Sequence, residues 1–360
     1  MKKLIFFTKH MEIGGLEKSL LNLLNRLDFS ECEVELVLEE RHGPLLEQLD
    51  PRIKISEYRL SECKFVPLRK IINFTKRQLW ALKQRGKYDF SCSYCTYSII
   101  GSRLAQYASD NSCLYVHNDY TTIYPDPGAF KQFFSELRTD RFRKVLFVSN
   151  ESKNSFVKLL PELESGCDVI NNIVEWEKIN VLANEPCEVK KTDGETLFVF
   201  VGRLAEPHKR MSRLLEAFKI ARETRKDIRL LIVGDGPDRE LCEKLITEYG
   251  IGDYVEMVGS QTNPYKYLNR SDCLVLSSDY EGFPVVYFES MILGKDIITT
   301  IPVSDERVDV GSYATVSEKN AASFAQALIH YRVRKNEPLN MDELNRKRIE
   351  KLQSIIYRQI

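Results

Sequence analysis

No stretch of this chain stays apolar over the roughly 18 residues that a membrane-spanning helix needs. The opening Met1-Lys2-Lys3-Leu4-Ile5-Phe6-Phe7 is too short an apolar run for a signal peptide. Lys9-His10 closes it, and it reads better as a first strand. Net charge is missing too: 52 Lys and Arg balance 52 Asp and Glu, so there is no general electrostatic case for nucleic acid. The nine cysteines are an odd number without a pattern, which predicts reduced thiols in a cytoplasmic protein. Cys92-Ser93-Tyr94-Cys95 has no second pair or histidine cluster at zinc spacing. It follows the strand-like Tyr88-Asp89-Phe90-Ser91 rather than opening a helix, so its reading is structural. The fingerprint G-x-G-x-x-G is absent, which counts against a nicotinamide-dependent dehydrogenase. D-x-D is absent as well, and with it the usual carboxylate pair for a metal-held diphosphate.

What remains is a folded α/β chain. At 360 residues it exceeds one ordinary core, so two domains are expected. Strands alternate with helices in both halves, which predicts two doubly wound sheets. In the first half, Leu4–Thr8 and Glu33–Leu38 read as strands around a helix from Leu16 to Leu27, with Gly14-Gly15 at the turn between. Two glycines there would let a ligand approach the backbone, although a plain tight turn also explains them. Asn111–Val116 is a strand ending in His117-Asn118-Asp119, at the strand end where open α/β sheets place ligands. A polar linker is expected over 174–195. In the second half, Leu197–Val201 leads to Gly202-Arg203 and then Lys209-Arg210. Ile228–Val233 leads to Gly234-Asp235-Gly236, and Tyr254–Val258 leads to Gly259-Ser260. The buried strand Cys273–Ser277 runs into the turn Asp279-Tyr280-Glu281-Gly282, then Phe283 and a helix from Val285 to Leu293. Pro284 suits its first turn and Gly294 its end. The free N–H groups at such a helix start suit a phosphate. Glu281 and Glu289 could then take hydroxyls on either side of it, or could be solvated helix-end acids.

The stretch Ser278–Ser290 resembles the E-x7-E region of the retaining family-4 glycosyltransferases, and the order of motifs from Gly202 to Glu289 is similar to that family's donor domain. The resemblance implies a GT-B fold, two Rossmann-like domains facing across a cleft. It implies an N-terminal acceptor-side domain over 1–173, with a final helix at 341–360 packed back on it, and a donor-binding domain over 174–340. It also implies roles. His117 would orient the sugar and Glu281 would hold sugar hydroxyls. Gly282, Phe283, Pro284 and Val285 would offer backbone to sugar and phosphate, and Glu289 would hold the ribose. Arg203, after Gly202, and Lys209 would neutralise the diphosphate without a metal or other cofactor. Gly234, Gly259 and Ser260 would lie at the nucleobase, and Gly14 and Gly15 would face the donor phosphates. Arg210 stands where many members have glycine, and Pro302–Glu306 where many have a glycine-rich turn.

The expected activity is retaining transfer from a nucleotide-diphosphate sugar, with uridine the commonest base in the family, to a glycan or lipid-linked saccharide in cell-surface polysaccharide synthesis. A non-catalytic GT-B subunit and a GT-B sugar-nucleotide epimerase are the alternatives. Residues 64–88 hold eight Lys and Arg and no acid, interleaved with Leu68, Ile71, Phe74, Leu79, Trp80 and Leu82. This predicts a basic amphipathic helix. It either packs its apolar face inward or meets anionic lipid headgroups or a lipid-diphosphate acceptor at the inner face of the cell membrane.

Overall fold

The computed structural model describes residues 1–281, 283–302 and 310–357. The chain divides into two compact units. Unit 1 is Met1–Ile173 with Asn345–Ile360, and unit 2 is Val174–Leu344.

Unit 1 is built on seven strands: β1 (Lys2–Thr8), β2 (Cys32–Leu38), β3 (Lys54–Glu57), β4 (Phe90–Ser93), β5 (Ser112–Val116), β6 (Lys144–Phe147) and β7 (Cys167–Val169). All pairs are parallel, in the order β3-β2-β1-β4-β5-β6-β7. Helices cover both faces of such a sheet, so its central strands read as continuous apolar runs. Leu4, Ile5, Phe6 and Phe7 are accordingly buried in a row. Between β1 and β2 the helix Gly15–Asn25 buries Leu20, Leu21, Leu23 and Leu24. The helix Pro127–Glu136 starts where it does because the Asp126 side chain accepts from the Ala129 N–H at 2.7 Å and Pro127 needs no N–H partner. The final helix, Asp342–Tyr357, closes this unit through buried polar contacts. Asn111 Nδ2 donates to the Ile355 and Ile356 carbonyls at 3.1 and 3.2 Å, and Arg348 donates to the Asn172 carbonyl at 2.7 Å. Cys92 lies within β4 and Cys95 just beyond it. Both are buried, and burial pushes the Cys95 thiol up to about 12, so it is no thiolate nucleophile.

Unit 2 has six strands: β8 (Thr196–Val201), β9 (Ile228–Val233), β10 (Val255–Gly259), β11 (Cys273–Leu276), β12 (Asp296–Thr299) and β13 (Ala314–Val316). They are again all parallel, in the order β10-β9-β8-β11-β12-β13. The core gathers Phe198, Phe200, Leu215, Phe218, Leu231 and Tyr287. The stretch expected as a linker is not all loop: Trp176–Ala183 is a helix that buries Ile179 and Ala183. Its apolar residues fall at helical spacing inside a segment whose polarity hid them. The helix expected over 285–293 spans Val285–Ile292, and Gly294 ends it with a φ of 64°.

Candidate active site

In each unit the strand order reverses at one point, between β1 and β4 and between β8 and β11. At such a point the two neighbouring strands send their loops to opposite faces, which opens a crevice at their C-terminal ends.

In unit 2 the loop after β8 carries Gly202, Arg203 and the short helix Glu206–Lys209, and the loop after β11 carries Ser277–Glu281. The two are stitched together. Ser277 Oγ donates to the Lys209 and Arg210 carbonyls at 2.9 Å each, and the Asp279 N–H donates to the His208 carbonyl at 2.9 Å. This brings Lys209 Nζ to Glu281 Oε1 at 2.5 Å, and Ser278 Oγ donates to the same oxygen at 2.6 Å. Only 19% of the Lys209 side chain and 13% of the Glu281 side chain are exposed, so the pair is weakly screened. Arg203 is exposed and has no hydrogen bond or ion pair among the described residues. His208 joins the group, its Nε2 2.8 Å from the Tyr280 hydroxyl. Burial, helped by the Arg203 and Lys209 cations, lowers its pKa below the ordinary histidine value. The mouth of β8 thus gathers a lysine, an arginine and an imidazole, an arrangement that suits a diphosphate.

Arg210 sits at φ 50°, ψ 56°, the left-handed region that favours glycine. It is held there by an ion pair to Asp279, which also takes Arg213 Nη2 at 2.6 Å. Burial works to raise the Asp279 pKa, but hydrogen bonds from Arg210 and Arg213 outweigh it and leave it lowered. The loop therefore keeps the backbone shape that glycine would give.

Next to this, three glycine turns are laced at the ends of β8, β9 and β10. The Gly202 N–H donates to Val233 and the Gly234 N–H to Gly259, at 3.0 and 2.8 Å. A Cβ on Gly234 would stand 1.9 Å from the Gly202 carbonyl oxygen, so only glycine fits. Ser260 is exposed beside them. Glu289 lies one turn into its helix, about 6 Å along the axis from Val285. It is buried, and its Oε1 accepts the Tyr265 hydroxyl at 3.2 Å. Burial and this carboxylate push the Tyr265 phenol up. Phe283 stacks on Phe288, ring centroids 4.7 Å apart. Pro284 directly precedes the helix that Val285 opens. Gly282 and most of the Pro302–Glu306 turn lie outside the described residues.

In unit 1, Gly14 and Gly15 follow β1. A Cβ on Gly14 would meet Glu17 Oε2 at 2.2 Å, whereas one on Gly15 would meet nothing within 4 Å. The room beside Gly14 is therefore filled by a carboxylate of the chain itself, and only Gly15 is open. Glu17 is buried and its Oε1 accepts the Tyr97 hydroxyl at 2.9 Å. Sequence reasoning passed over it because an acid in a first helical turn is ordinary. His117 follows β5, 8% exposed, between the rings of Tyr94 and Tyr115 at 4.6 and 4.7 Å. Neither ring nitrogen has a hydrogen-bond partner among the described residues. Burial lowers its pKa to about 3, so the imidazole is neutral near pH 7. A recess of about 740 Å³ in this unit, bounded by Lys2, Asp89, Gln106 and Asn111, lies at the other end of the strands.

His208, Tyr280, Ser278 and Tyr265 also escaped sequence reasoning. Only Ser278, three residues before Glu281 in one turn, carried a local signal. Among the described residues no group of three or more metal-ligating side chains could hold an ion.

Two doubly wound parallel domains, with cations and carboxylates at a switch point, are the architecture of the GT-B fold. The family model described as glycosyl transferases group 1 matches residues 184–348. The N-acetyl-alpha-D-glucosaminyl L-malate synthase of Bacillus anthracis is 31% identical over 74% of this chain and 67% of its own length. The chain belongs to the glycosyl transferases of group 1. It is also 25% identical, over 83% of this chain and 81% of the relative, to a Campylobacter jejuni enzyme. That relative is N-acetylgalactosamine-N,N'-diacetylbacillosaminyl-diphospho-undecaprenol 4-alpha-N-acetylgalactosaminyltransferase. The chain spans less than half the length of several other curated relatives it matches. In fold it is similar to Anabaena HepE, solved in complex with UDP and glucose. The TM-score is 0.74 at 14% identity, over 98% of this chain and 100% of that one.

Proposed function

We propose that the protein is a retaining, metal-independent glycosyltransferase that moves a sugar from a UDP-sugar to a glycan or lipid-linked saccharide. The acceptor would be an intermediate of cell-surface polysaccharide or lipopolysaccharide synthesis, presented at the inner face of the cell membrane. The observation that carries this reading is the group at the end of β8 and β11: Lys209 paired with Glu281, with Arg203 exposed beside them. Departure of a nucleoside diphosphate leaves negative charge on phosphate oxygens, and the Lys209 and Arg203 cations stabilise that charge as it develops. This is the role a metal fills elsewhere, and it supports the metal-free reading. Lys209 has further N–H donors besides the one on Glu281 and can hold both carboxylate and phosphate. Glu281, so fixed, presents its other oxygen to sugar hydroxyls.

Glu289 takes the ribose hydroxyls, and Gly234, Gly259 and Ser260 border the base. His117, neutral and unpartnered, has one donor and one acceptor nitrogen for the sugar. With no second carboxylate assigned as nucleophile, the acceptor hydroxyl attacks on the face the diphosphate leaves. Its proton passes to the departing phosphate oxygen, so charge and atoms balance. Uracil is the base we favour, with support from the UDP in the HepE structure. The lipid-linked acceptor draws on the Campylobacter relative, whose name carries a diphospho-undecaprenol.

A thermal-shift screen with UDP-, GDP-, ADP- and TDP-sugars, each with and without EDTA, tests the donor side. Stabilisation by UDP-sugars that EDTA leaves unchanged and that Glu289→Ala removes is the expected result. A shift that disappears with EDTA overturns metal independence. No shift with any nucleotide overturns the donor site itself.

A further inference from the structure

The helix Val66–Gln84 is amphipathic, yet it faces the wrong way for a helix that packs by its apolar side. None of its 19 residues is buried. What it turns toward unit 1 is Trp80, edge-on to Phe7 and Tyr58 at 5.8 and 6.1 Å, and Asn73, whose Oδ1 accepts the Ser61 N–H at 2.7 Å. Leu68, Ile71, Leu79 and Leu82 are 45–72% exposed. At 100° per residue these four fall within a sector of about 80°, opposite the side of Trp80 and Asn73. Arg69, Lys76 and Lys83 run along one border of that stripe, also exposed. Near the helix start, Arg69, Lys70, Asn73, Phe74 and Arg77 enclose a recess of about 530 Å³.

We infer that this helix is a docking surface for an anionic phospholipid bilayer. It lies in the plane of the interface, with the leucine and isoleucine stripe among the upper acyl carbons and the basic border on lipid phosphates. Charge complementarity selects this occupant. Residues 64–88 carry eight cations and no acid in a chain whose net charge is zero. A bilayer surface offers an apolar layer and a sheet of phosphates at the spacing such a helix presents. The helix does not cross: no helix among the described residues is long and apolar enough.

The test is co-sedimentation of the whole protein with phosphatidylcholine vesicles and with vesicles that also contain phosphatidylglycerol. Three variants accompany the wild type: Arg69→Gln/Lys83→Gln, Leu79→Ser/Leu82→Ser, and Arg203→Ala. All four helix substitutions replace exposed side chains, so folding is retained, and circular dichroism checks it. The wild type is expected to bind only the anionic vesicles, and less as salt rises. Each basic side chain strengthens such binding about fivefold, so the charge variant binds roughly 25-fold more weakly. The serine variant loses binding, and Arg203→Ala binds as the wild type does, which separates this inference from the donor-site reading. Equal binding to both vesicle types, no binding to either, or helix variants that bind like the wild type overturns it. A dimer in lipid-free solution that the serine variant dissolves also overturns it, because the stripe is then an interface between two copies of the chain.

Discussion

His117 is the residue whose environment makes the most demanding prediction. It is buried between two tyrosine rings and has no acceptor at either nitrogen among the described residues, so protonation would place an unsolvated cation there. The Tyr94 backbone works against burial, and the ring faces add on the order of 1–4 kcal/mol in favour of an imidazolium. Burial wins: the pKa falls from 6.5 to about 3. Taken whole, that difference is worth roughly 5 kcal/mol. The unfolded chain binds a proton at its own histidine pKa and the folded chain does not. Stability from this group is therefore complete above about pH 6.5 and declines as pH falls toward 3. At about pH 5 the loss reaches roughly 2 kcal/mol. The direct assay follows the ring carbon and nitrogen shifts of labelled His117 by NMR, where no titration should be seen down to about pH 5. Denaturant unfolding of wild type against His117→Gln supplies the energy, and the wild type should lose about 2 kcal/mol more between pH 7.5 and 5. A midpoint above about pH 6 would refute the reasoning and mean that the Tyr94 backbone and the tyrosine faces together outweigh burial.

The remaining predictions concern unit 2. Arg203→Ala and Lys209→Ala should each lower turnover at saturating donor by roughly 100-fold, since their charge matters most as the diphosphate leaves. Steady-state kinetics with donor in excess decides it, and an unchanged turnover for Arg203→Ala removes that residue from the mechanism. Glu289→Ala should mainly weaken nucleotide binding, by about 10- to 100-fold, the worth of hydrogen bonds to a charged group. Calorimetric titration with UDP measures this, and a loss confined to turnover would contradict the ribose role. Gly234→Ala should cost about 2–4 kcal/mol in unfolding free energy, because the added methyl group meets the Gly202 carbonyl in a turn with a φ of 147°. Thermal unfolding checks it, and a neutral effect would mean that the paired turns can part.

Much of the fold could be read from the chain because buried parallel strands are unbroken apolar runs bounded by glycine or polar turns. The strand Ile228–Val233 lies on the residues so expected. Harder to see were elements without that contrast. β3 is a four-residue edge strand, Lys-Ile-Ser-Glu, and the helix Trp176–Ala183 is embedded in polar sequence. Periodicity also says that a helix has an apolar face but not where that face points. For Val66–Gln84 the answer depended on Trp80 meeting Phe7 and Tyr58 from elsewhere in the chain. At the candidate site the individual residues were legible as motifs, while their contacts were not. Lys209 and Glu281 are 72 positions apart, and only the adjacency of β8 and β11 joins them.

The final helix has a consequence for how the molecule is made. Residues 345–357 supply the carbonyls that satisfy the buried Asn111 amide and the guanidinium that caps the Asn172 carbonyl, deep in the unit that begins at the first residue. Unit 2 is one uninterrupted segment and can close as soon as residue 344 has been synthesised. Unit 1 has all seven strands of its sheet by residue 169, but its buried Asn111 amide and Asn172 carbonyl meet their partners only after some 170 more residues have been added. Removal of residues 345–357 would leave the Asn111 amide and the Asn172 carbonyl buried without these partners, in a unit whose strands all lie more than 170 residues earlier.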